Sequence, residues 1–229
     1  MTKPAAHTAV RALAFTAAIM ALPMAAHAAL TLTLPTAAIQ ANAIQAFSED
    51  AQGAFDLTGV VVKPLGNATA VANVPGAFNL PVTSISLQLV KVAGGASAGS
   101  ALEFNRVNED TGEPVRVTLA NFRIDFKAKK VLADATQKGQ ATVPNFEIYN
   151  FREKTPLGFK YQFPLSISGK QVLDQLFLTE PAKKLFLDGL QLPEFVNEVL
   201  NVVDFGTITV DVNAKLRKPV SSRPYVVKP

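Results

Sequence analysis

The chain has 229 residues, with 22 Lys and Arg against 18 Asp and Glu for a net charge of +4, and it contains neither Cys nor Trp. Without Cys there is no disulfide, no thiol nucleophile and no acylated lipoprotein anchor. The nearly balanced charge provides no basic stripe for phosphate groups, so we expect no nucleic-acid partner.

The first 28 residues have the pattern of a cleavable secretory signal peptide. Lys3 and Arg11 make its start positive, an apolar run follows over residues 12–22, and Ala26 and Ala28 are the small residues of a cleavage site. That apolar run is shorter than the about 20 residues of a membrane-spanning helix. We therefore expect a periplasmic or secreted protein, and not an integral membrane protein.

This signal peptide contains both histidines of the chain, His7 and His27, and all three methionines. A mature chain without His or Cys lacks a Ser-His-Asp triad and the ordinary ligands of zinc and copper. We therefore expect no metal, no cofactor and no catalytic residues, and a non-enzymatic protein is the favoured class.

The rest of the chain predicts one mainly β domain, an antiparallel β-sandwich over residues 29–217 with two small helical insertions. The first predicted helix is Thr36–Asp50, where Ala and Ile recur at helical spacing after Pro35. Ala93–Ser100 is rich in Gly, Ala and Ser, which predicts a flexible loop. The segment 218–229 holds three prolines and is predicted to be an extended tail.

Alternation of apolar and polar residues predicts the strands, most clearly over residues 205–217. Within Val115–Phe126 the alternation changes parity. One extra residue near Ala120 and Asn121 would return both halves to the core, which predicts a β-bulge there. The second helical insertion is predicted to be a helix pair over Thr179–Val203, opened by a Thr-Glu-Pro sequence that is typical of a helix start.

Short strand and turn motifs follow one another in order along the mature chain, among them Val62–Thr69, Val117–Asp125 and Phe205–Thr207. This order resembles a group of secreted bacterial β-rich proteins, mostly uncharacterised. The resemblance spans most of the mature chain and implies an exported β-sandwich, with no implied activity.

A second resemblance lies near the C-terminus, where the apolar strand residues Leu176–Thr179 end on a threonine and lead into a short helix. This run is similar to the HtaA-type domain of haem acquisition. The resemblance does not extend to ligand residues, because the mature chain has no His and because Tyr149, Tyr161 and Tyr225 fall outside the matching run.

A cluster of aromatic residues around Asn150–Lys154 is the candidate binding site. It offers surface for a hydrophobic ligand, and the candidate ligand-binding residues are Phe146, Tyr149, Phe151, Phe159 and Tyr161. The alternative is a hairpin that packs the same rings into the core. We expect the helix pair to cap one end of the sandwich, where a hydrophobic small molecule or a second copy of the protein enters between helix and sheet.

Two polar patterns each have a chemical and a structural interpretation. The oxygen-bearing side chains of Asn108–Glu113 suit a calcium ion or, more simply, a hairpin turn. Ser166, Ser168 and Lys170 allow a serine–lysine dyad, but their alternation with core-facing residues is typical of the solvent-facing side of a strand.

Two carboxylates, Asp125 and Asp134, allow glycosidase-type chemistry, and cross-strand ion pairing near Arg123 is the simpler explanation. The favoured function is an exported, non-enzymatic protein that binds a hydrophobic ligand or a protein partner at the cell exterior. The alternative is an exported hydrolase that uses carboxylate or Ser-Lys chemistry.

The signal-peptide pattern predicts that the exported protein begins at Ala29. Intact-mass spectrometry of periplasmic and culture fractions checks this prediction. A chain that retains Met1 and is found in the membrane fraction would contradict it.

Overall fold

The structure is a computed structural model of the chain, and it describes residues 31–88, 91–162 and 166–227. The predicted signal peptide lies outside the described residues. From Thr31 onward the chain forms a single unit.

Twelve strands and three helices make up the described part of the chain. The strands are β1 (Thr31–Pro35), β2 (Ile39–Ala46), β3 (Val61–Gly66), β4 (Thr69–Ala70), β5 (Ala77–Pro81), β6 (Ser84–Gln88), β7 (Lys91–Val107), β8 (Pro114–Asp125), β9 (Lys130–Gln137), β10 (Val143–Gln162), β11 (Ser166–Leu178) and β12 (Thr207–Leu216). The helices are α1 (Glu49–Thr58), α2 (Glu180–Gly189) and α3 (Val196–Val202).

All of these strands join one antiparallel sheet in the order β1-β6-β7-β8-β9-β10-β11-β12-β2-β5-β4. Strand β3 lies outside this order and pairs with residues 100–105 of β7. The predicted mainly β, antiparallel fold with two small helical insertions is confirmed, since α1 forms one insertion and the α2–α3 pair the other. The two layers expected of a sandwich are opposite walls of this single sheet.

Two short links force the sheet to curl. Residues 36–38 join β1 to β2, and residues 82–83 join β5 to β6, although the strands of each pair stand eight places apart in the sheet order. In a flat sheet eight places would separate them by about 38 Å. A link of three residues reaches at most about 14 Å. The two ends of the sheet therefore lie side by side.

Hydrogen bonds close the seam between these two ends. The backbone N–H of Thr36 donates to Thr83 O at 2.8 Å, and the Thr36 hydroxyl donates to Val82 O at 3.0 Å. The N–H of Thr83 donates in turn to Ala96 O on β7 at 2.8 Å, and that of Val82 to Ala41 O on β2 at 2.8 Å. The link at 82–83 thus continues the hydrogen bonding of both walls.

Arg217, just beyond β12, binds the same seam from the side. Its guanidinium donates to the carbonyl oxygens of Ala37 at 3.1 Å, Ala41 at 3.0 Å and Val82 at 2.8 Å, and to Asn42 Oδ1 at 2.9 Å. A planar guanidinium with five donors is suited to several carbonyls at once. One side chain therefore connects the end of β12 to both short links.

The expected helix at Thr36–Asp50 is wrong. Residues 39–46 form β2, which pairs with β12 on one side and β5 on the other. Burial alternates along it, with Ala41, Ala43 and Gln45 buried and their neighbours half-buried. Cross-strand pairing on both sides outweighs the helical propensity of alanine. The helix α1 begins later, with the Ser48 hydroxyl accepting the N–H of Ala51 at 3.0 Å.

The flexible loop expected at Ala93–Ser100 is also wrong, because these residues lie within β7 and pair with β6 and β8. Their small side chains serve close packing. A Cβ atom at Gly94 would lie 2.8 Å from Ile124 O on the neighbouring strand. Gly, Ala and Ser therefore permit a close approach here, as glycine does at bulges and bends of sheets.

The β-bulge predicted near Ala120 and Asn121 is confirmed. The register between β8 and β9 shifts between Ala120 and Arg123, and Asn121 has φ of 54°. As a result Leu119 and Phe122, which differ in parity, are both buried. The side chain of Asn121 also exchanges hydrogen bonds with the backbone of Tyr225, at 2.7 and 3.0 Å, and so holds the segment 218–227 against the sheet.

The helix pair begins as predicted. The Thr179 hydroxyl accepts the N–H of Ala182 at the start of α2, and Pro181 lies in its first turn. The carboxyl ends of α1 and α2 share one cation from the sheet: buried Arg106 on β7 donates to Thr58 O at 2.8 Å and Gln191 O at 2.9 Å. A positive charge at helix C-termini is favourable, which fixes both helices to β7.

The described residues include no helix long and apolar enough to cross a membrane.

The seam predicts a large loss of stability when Arg217 is replaced. Arg217→Met removes all of the guanidinium hydrogen bonds to the seam at once, so we expect the free energy of unfolding to fall by about 2–4 kcal/mol. Urea denaturation measures this fall. The control Lys215→Met removes an exposed positive charge two residues away and should change stability by less than about 0.5 kcal/mol. Equal effects of the two substitutions would contradict the assigned role of Arg217.

Candidate functional site

Three of the five predicted aromatic residues lie in or against the core, and the side chains of the other two are not described. Tyr149 and Phe151 are buried, with ring centroids 5.7 Å from Phe205 and 5.9 Å from Phe126, respectively. Phe146 is half-buried and packs against the same core. The other two candidates, at 159 and 161, lie on β10 opposite residues 169 and 167 of β11, and their side chains are outside the described part of the chain.

An apolar cavity lies between the opposite walls of the curled sheet. It encloses about 40 Å³ and is lined by strands and their turns. One wall comes from β11, β12, β2 and β5, the other comes from β6, β7, β8 and β9, and β10 adds Leu157. The apolar side chains around it are Ala43, Leu80, Val82, Ile85, Val92, Ala96, Phe122, Ile124, Phe126, Val131, Leu157, Ile208, Val210 and Val212.

The cavity does not lie where the helix pair was expected to admit a ligand. No residue of the helices α1, α2 or α3 belongs to its lining. The inward side chains of the helices instead pack against the sheet in an aromatic cluster, in which the rings of Phe104 and Phe186 lie 4.9 Å apart and those of Phe47 and Phe55 lie 5.1 Å apart. The interior beneath the helices is therefore filled, and the cavity lies at the opposite end of the interior, among residues of strands and their turns.

Gly95 creates part of the space. It pairs with Ile85 on one side and Ile124 on the other, and all three line the cavity. Residues directly opposite each other in a sheet share a face, so a side chain at 95 would point inward. An added Cβ would have Ser84 O, at 3.7 Å, as its only neighbour within 4 Å. The glycine therefore leaves open a volume that a larger residue would fill.

Three polar side chains interrupt the apolar lining: Gln45, Ser97 and Gln171. Gln45 donates to Phe205 O at 3.3 Å, and Ser97 donates to Leu80 O at 3.3 Å. Gln171 is 3% exposed. It lies opposite Val210 on β12, whose side chain also lines the cavity.

Sequence analysis missed these cavity residues. Gln171 has the same parity as buried Leu173 on β11, and Gln45 the same parity as buried Ala43 on β2. A glutamine at an inward position of an apolar strand was the available signal. At Gln45 the predicted helix gave the wrong periodicity. At Gln171 the polar residues Ser168 and Lys170 on the same strand made a solvent-facing position equally consistent with the sequence.

No charged residue lines the cavity. In addition, the described residues contain no cluster of three or more His, Cys, Asp or Glu side chains that could hold a metal ion. Apolar contact and a neutral amide are what this site offers a ligand. A charged group would lose its hydration here without gaining a counter-ion.

The candidate catalytic carboxylates lie elsewhere and are engaged in ion pairs or turns. Asp134 binds the guanidinium of Arg123 and accepts a hydrogen bond from Asn121 Nδ2 at 2.8 Å, as expected for cross-strand pairing. The Asp125 carboxylate accepts the N–H of Ala128 at 2.9 Å within the β8–β9 turn. These contacts account for both carboxylates structurally.

The serine–lysine and calcium patterns have the simpler structures. Ser168 and Lys170 lie on a surface groove of the sheet, and Lys170 is exposed, whereas a dyad needs a desolvated lysine. The segment Asn108–Glu113 is the turn between β7 and β8. There the Asn108 side-chain oxygen accepts the N–H groups of Asp110 and Thr111, at 2.8 and 3.0 Å.

Comparison with known proteins includes a likeness to a solved structure. No protein-family model matches the chain, and no curated protein matches it. Among solved structures, the C-terminal domain of HtaA from Corynebacterium glutamicum aligns with a TM-score of 0.45 at 10% sequence identity, covering 77% of this chain and 98% of that one. This is a weak structural similarity.

Burial of Tyr149 predicts a loss of stability in alkali. Burial raises the pKa of its hydroxyl well above the usual value near 10, because the phenolate would lose its hydration. The unfolded chain releases this proton above about pH 10 while the folded chain keeps it, so the free energy of unfolding falls as pH rises from there.

Urea unfolding between pH 9 and 11 measures this fall. Tyr149→Phe should reduce its slope, and the control Tyr225→Phe, which leaves Tyr149 in place, should retain the wild-type slope. The same slope in all three proteins would show that the Tyr149 hydroxyl does not contribute.

Proposed function

We propose that this protein is an exported, non-enzymatic protein that binds a hydrophobic small molecule in the apolar cavity of its curled sheet. The observation that carries the proposal is the space beside Gly95, enclosed by apolar side chains from both walls. A small apolar molecule placed there is removed from water, which contributes about 25 cal/mol for each Å² of apolar surface buried.

Export and composition support this proposal. The signal-peptide pattern of the first 28 residues favours a periplasmic or extracellular location. The mature sequence lacks His and Cys, which are among the commonest acid–base and nucleophilic groups of enzymes. The exported hydrolase is disfavoured because Asp134 is ion-paired with Arg123 and Lys170 is exposed.

The aromatic residues of β10 have two roles in this proposal. Phe159 and Tyr161 remain ligand-binding residues of this proposal on the sequence pattern alone. Phe151 contacts Phe126, which lines the cavity, so it supports the wall from behind. Phe146 and Tyr149 extend that support toward the core.

A substitution that fills the cavity tests the function. Gly95→Val places a branched side chain in the open space, whereas Gly158→Val makes the same change on β10 at an exposed position with no atom within 4 Å of the added Cβ. Both residues lie in strands, where valine is favourable. Organic extraction and mass spectrometry should find an apolar molecule in the wild type and in Gly158→Val, but not in Gly95→Val.

The same proteins should be titrated with 1-propanol, with methyl NMR shifts of Ile85 and Val210 as the readout, since a natural ligand can be lost during purification. We expect shifts in the wild type and Gly158→Val only. Wild-type protein that carries no apolar molecule and shows no shift would overturn the proposal. A dimer on sizing chromatography in that result would favour self-association instead.

A further inference from the structure

The strand β1 forms an edge of the sheet. Within the described part of the chain it pairs with β6 on one side and with no strand on the other, because it stands at one end of the strand order. All five of its residues, Thr31–Pro35, are exposed. An edge strand presents a row of unpaired backbone N–H and C=O groups, which can pair with a further strand. Strand β1 is therefore able to bind one more strand.

The sequence of β1 does little to protect this edge. Natural edge strands are commonly protected by charged side chains, by bulges or by proline. Strand β1 has the sequence Thr-Leu-Thr-Leu-Pro, which contains no charged residue and has its proline at the last position. Its five residues also pair with β6 without a shift in register. Apart from its short length, β1 has no feature that opposes pairing.

Two leucines of β1 lie on the core side of the sheet without cover. Leu34 lies directly opposite Ile85 of β6, and Leu32 lies opposite Leu87. Residues directly opposite each other share a face of the sheet. Ile85 is buried and Leu87 packs against the core, but Leu32 and Leu34 are 56% and 40% exposed. The apolar face of the sheet thus continues past the core to the free edge.

The residue order of β1 is complementary to itself when two copies run antiparallel. In a register centred on Thr33, Leu32 of each copy lies opposite Leu34 of the second copy, and Thr31 lies opposite Pro35. All four leucines then meet in cross-strand pairs on one face, and no like charges are brought together. A shift of one residue would turn the leucines of the two copies to opposite faces. The sequence therefore favours a second copy of β1 as the partner, in this register.

We propose that two copies of the protein pair antiparallel through β1, about a two-fold axis at Thr33, and so join their sheets into one. The same strand serves both copies in such an arrangement, so the pair is closed and no third copy is added at this edge. Five residues on each side are fewer than the about 20–30 of a stable interface, so the dimer is weak and forms as the concentration rises. The pairing does not depend on a ligand in the cavity, so it is tested separately from the proposed function.

Disulfide trapping tests the pairing and its register, because the chain has no cysteine of its own. Thr33→Cys brings two thiols together at the axis, where opposite Cα atoms would lie about 4.5–5.5 Å apart, within the range that a disulfide bridges. In the matched control Thr31→Cys, on the same face of the same strand, the two Cα atoms would lie about 14 Å apart. With oxidised glutathione as the oxidant, a non-reducing gel should show a covalent dimer for most of the Thr33→Cys chain and for little of the Thr31→Cys chain.

A charge pair tests the same axis without cross-linking. Thr33→Lys and Thr33→Glu each place like charges opposite one another, so each should raise the dissociation constant of the dimer at least about 5-fold. An equimolar mixture of the two places opposite charges there and should restore wild-type pairing. The control Thr155→Lys makes the same change at an exposed residue of β10, which has a strand on both sides, and should pair like the wild type. Sedimentation velocity from micromolar to millimolar concentration measures all of these proteins.

Three results would overturn the inference: a wild type that stays monomeric at millimolar concentration, equal cross-linking of Thr33→Cys and Thr31→Cys, and a mixture of the charged variants that pairs no better than either alone. Circular dichroism establishes that each variant is folded. If a charged variant does not fold, the wild-type association and the two cysteine variants decide the question.

Discussion

Two links of two and three residues constrain the whole molecule. Residues 36–38 and 82–83 each join strands that stand at opposite ends of the sheet order, so the sheet is closed by covalent geometry before any side chain is considered. Arg217 then binds both links through carbonyl oxygens, although burial lowers the pKa of its guanidinium. Because the seam holds the ends together, the inner faces of β2 and β12 lie across from those of β7 and β8, and a continuous core forms between them.

The interior that this closure creates differs between its two ends. At the helix end, rings fill the space, with Phe104 packed edge-on against Phe186 and Arg106 fixing the C-termini of α1 and α2. Toward the other end, the wall includes Gly95, which has no side chain to fill the space before it. Because the helix end of the interior is filled, the remaining space lies at the opposite end, between inward-facing apolar side chains of the strands.

Charged residues lie outside the cavity lining. Asp134 with Arg123, and Asp174 with Arg152, are pairs within or across neighbouring strands. The second pair lowers the pKa of the Asp174 carboxyl, chiefly through its hydrogen bond from Arg152. Opposite charges across neighbouring strands favour the observed register. The lining of the cavity is therefore neutral and largely apolar.

The sequence by itself determined the features that depend on local periodicity and capping. Strict alternation predicted β12, the change of parity located the bulge at Asn121, and Thr179 with Pro181 located the start of α2, because each signal arises from residues next to one another. Only the tertiary structure decided that residues 39–46 form a strand and that 93–100 pair within β7: their Ala, Gly and Ser residues have little preference of their own, and neighbouring strands provide the hydrogen bonds. The same is true of the cavity, since Gly95 and Gln171 meet across a space that exists only when the two ends of the sheet are joined.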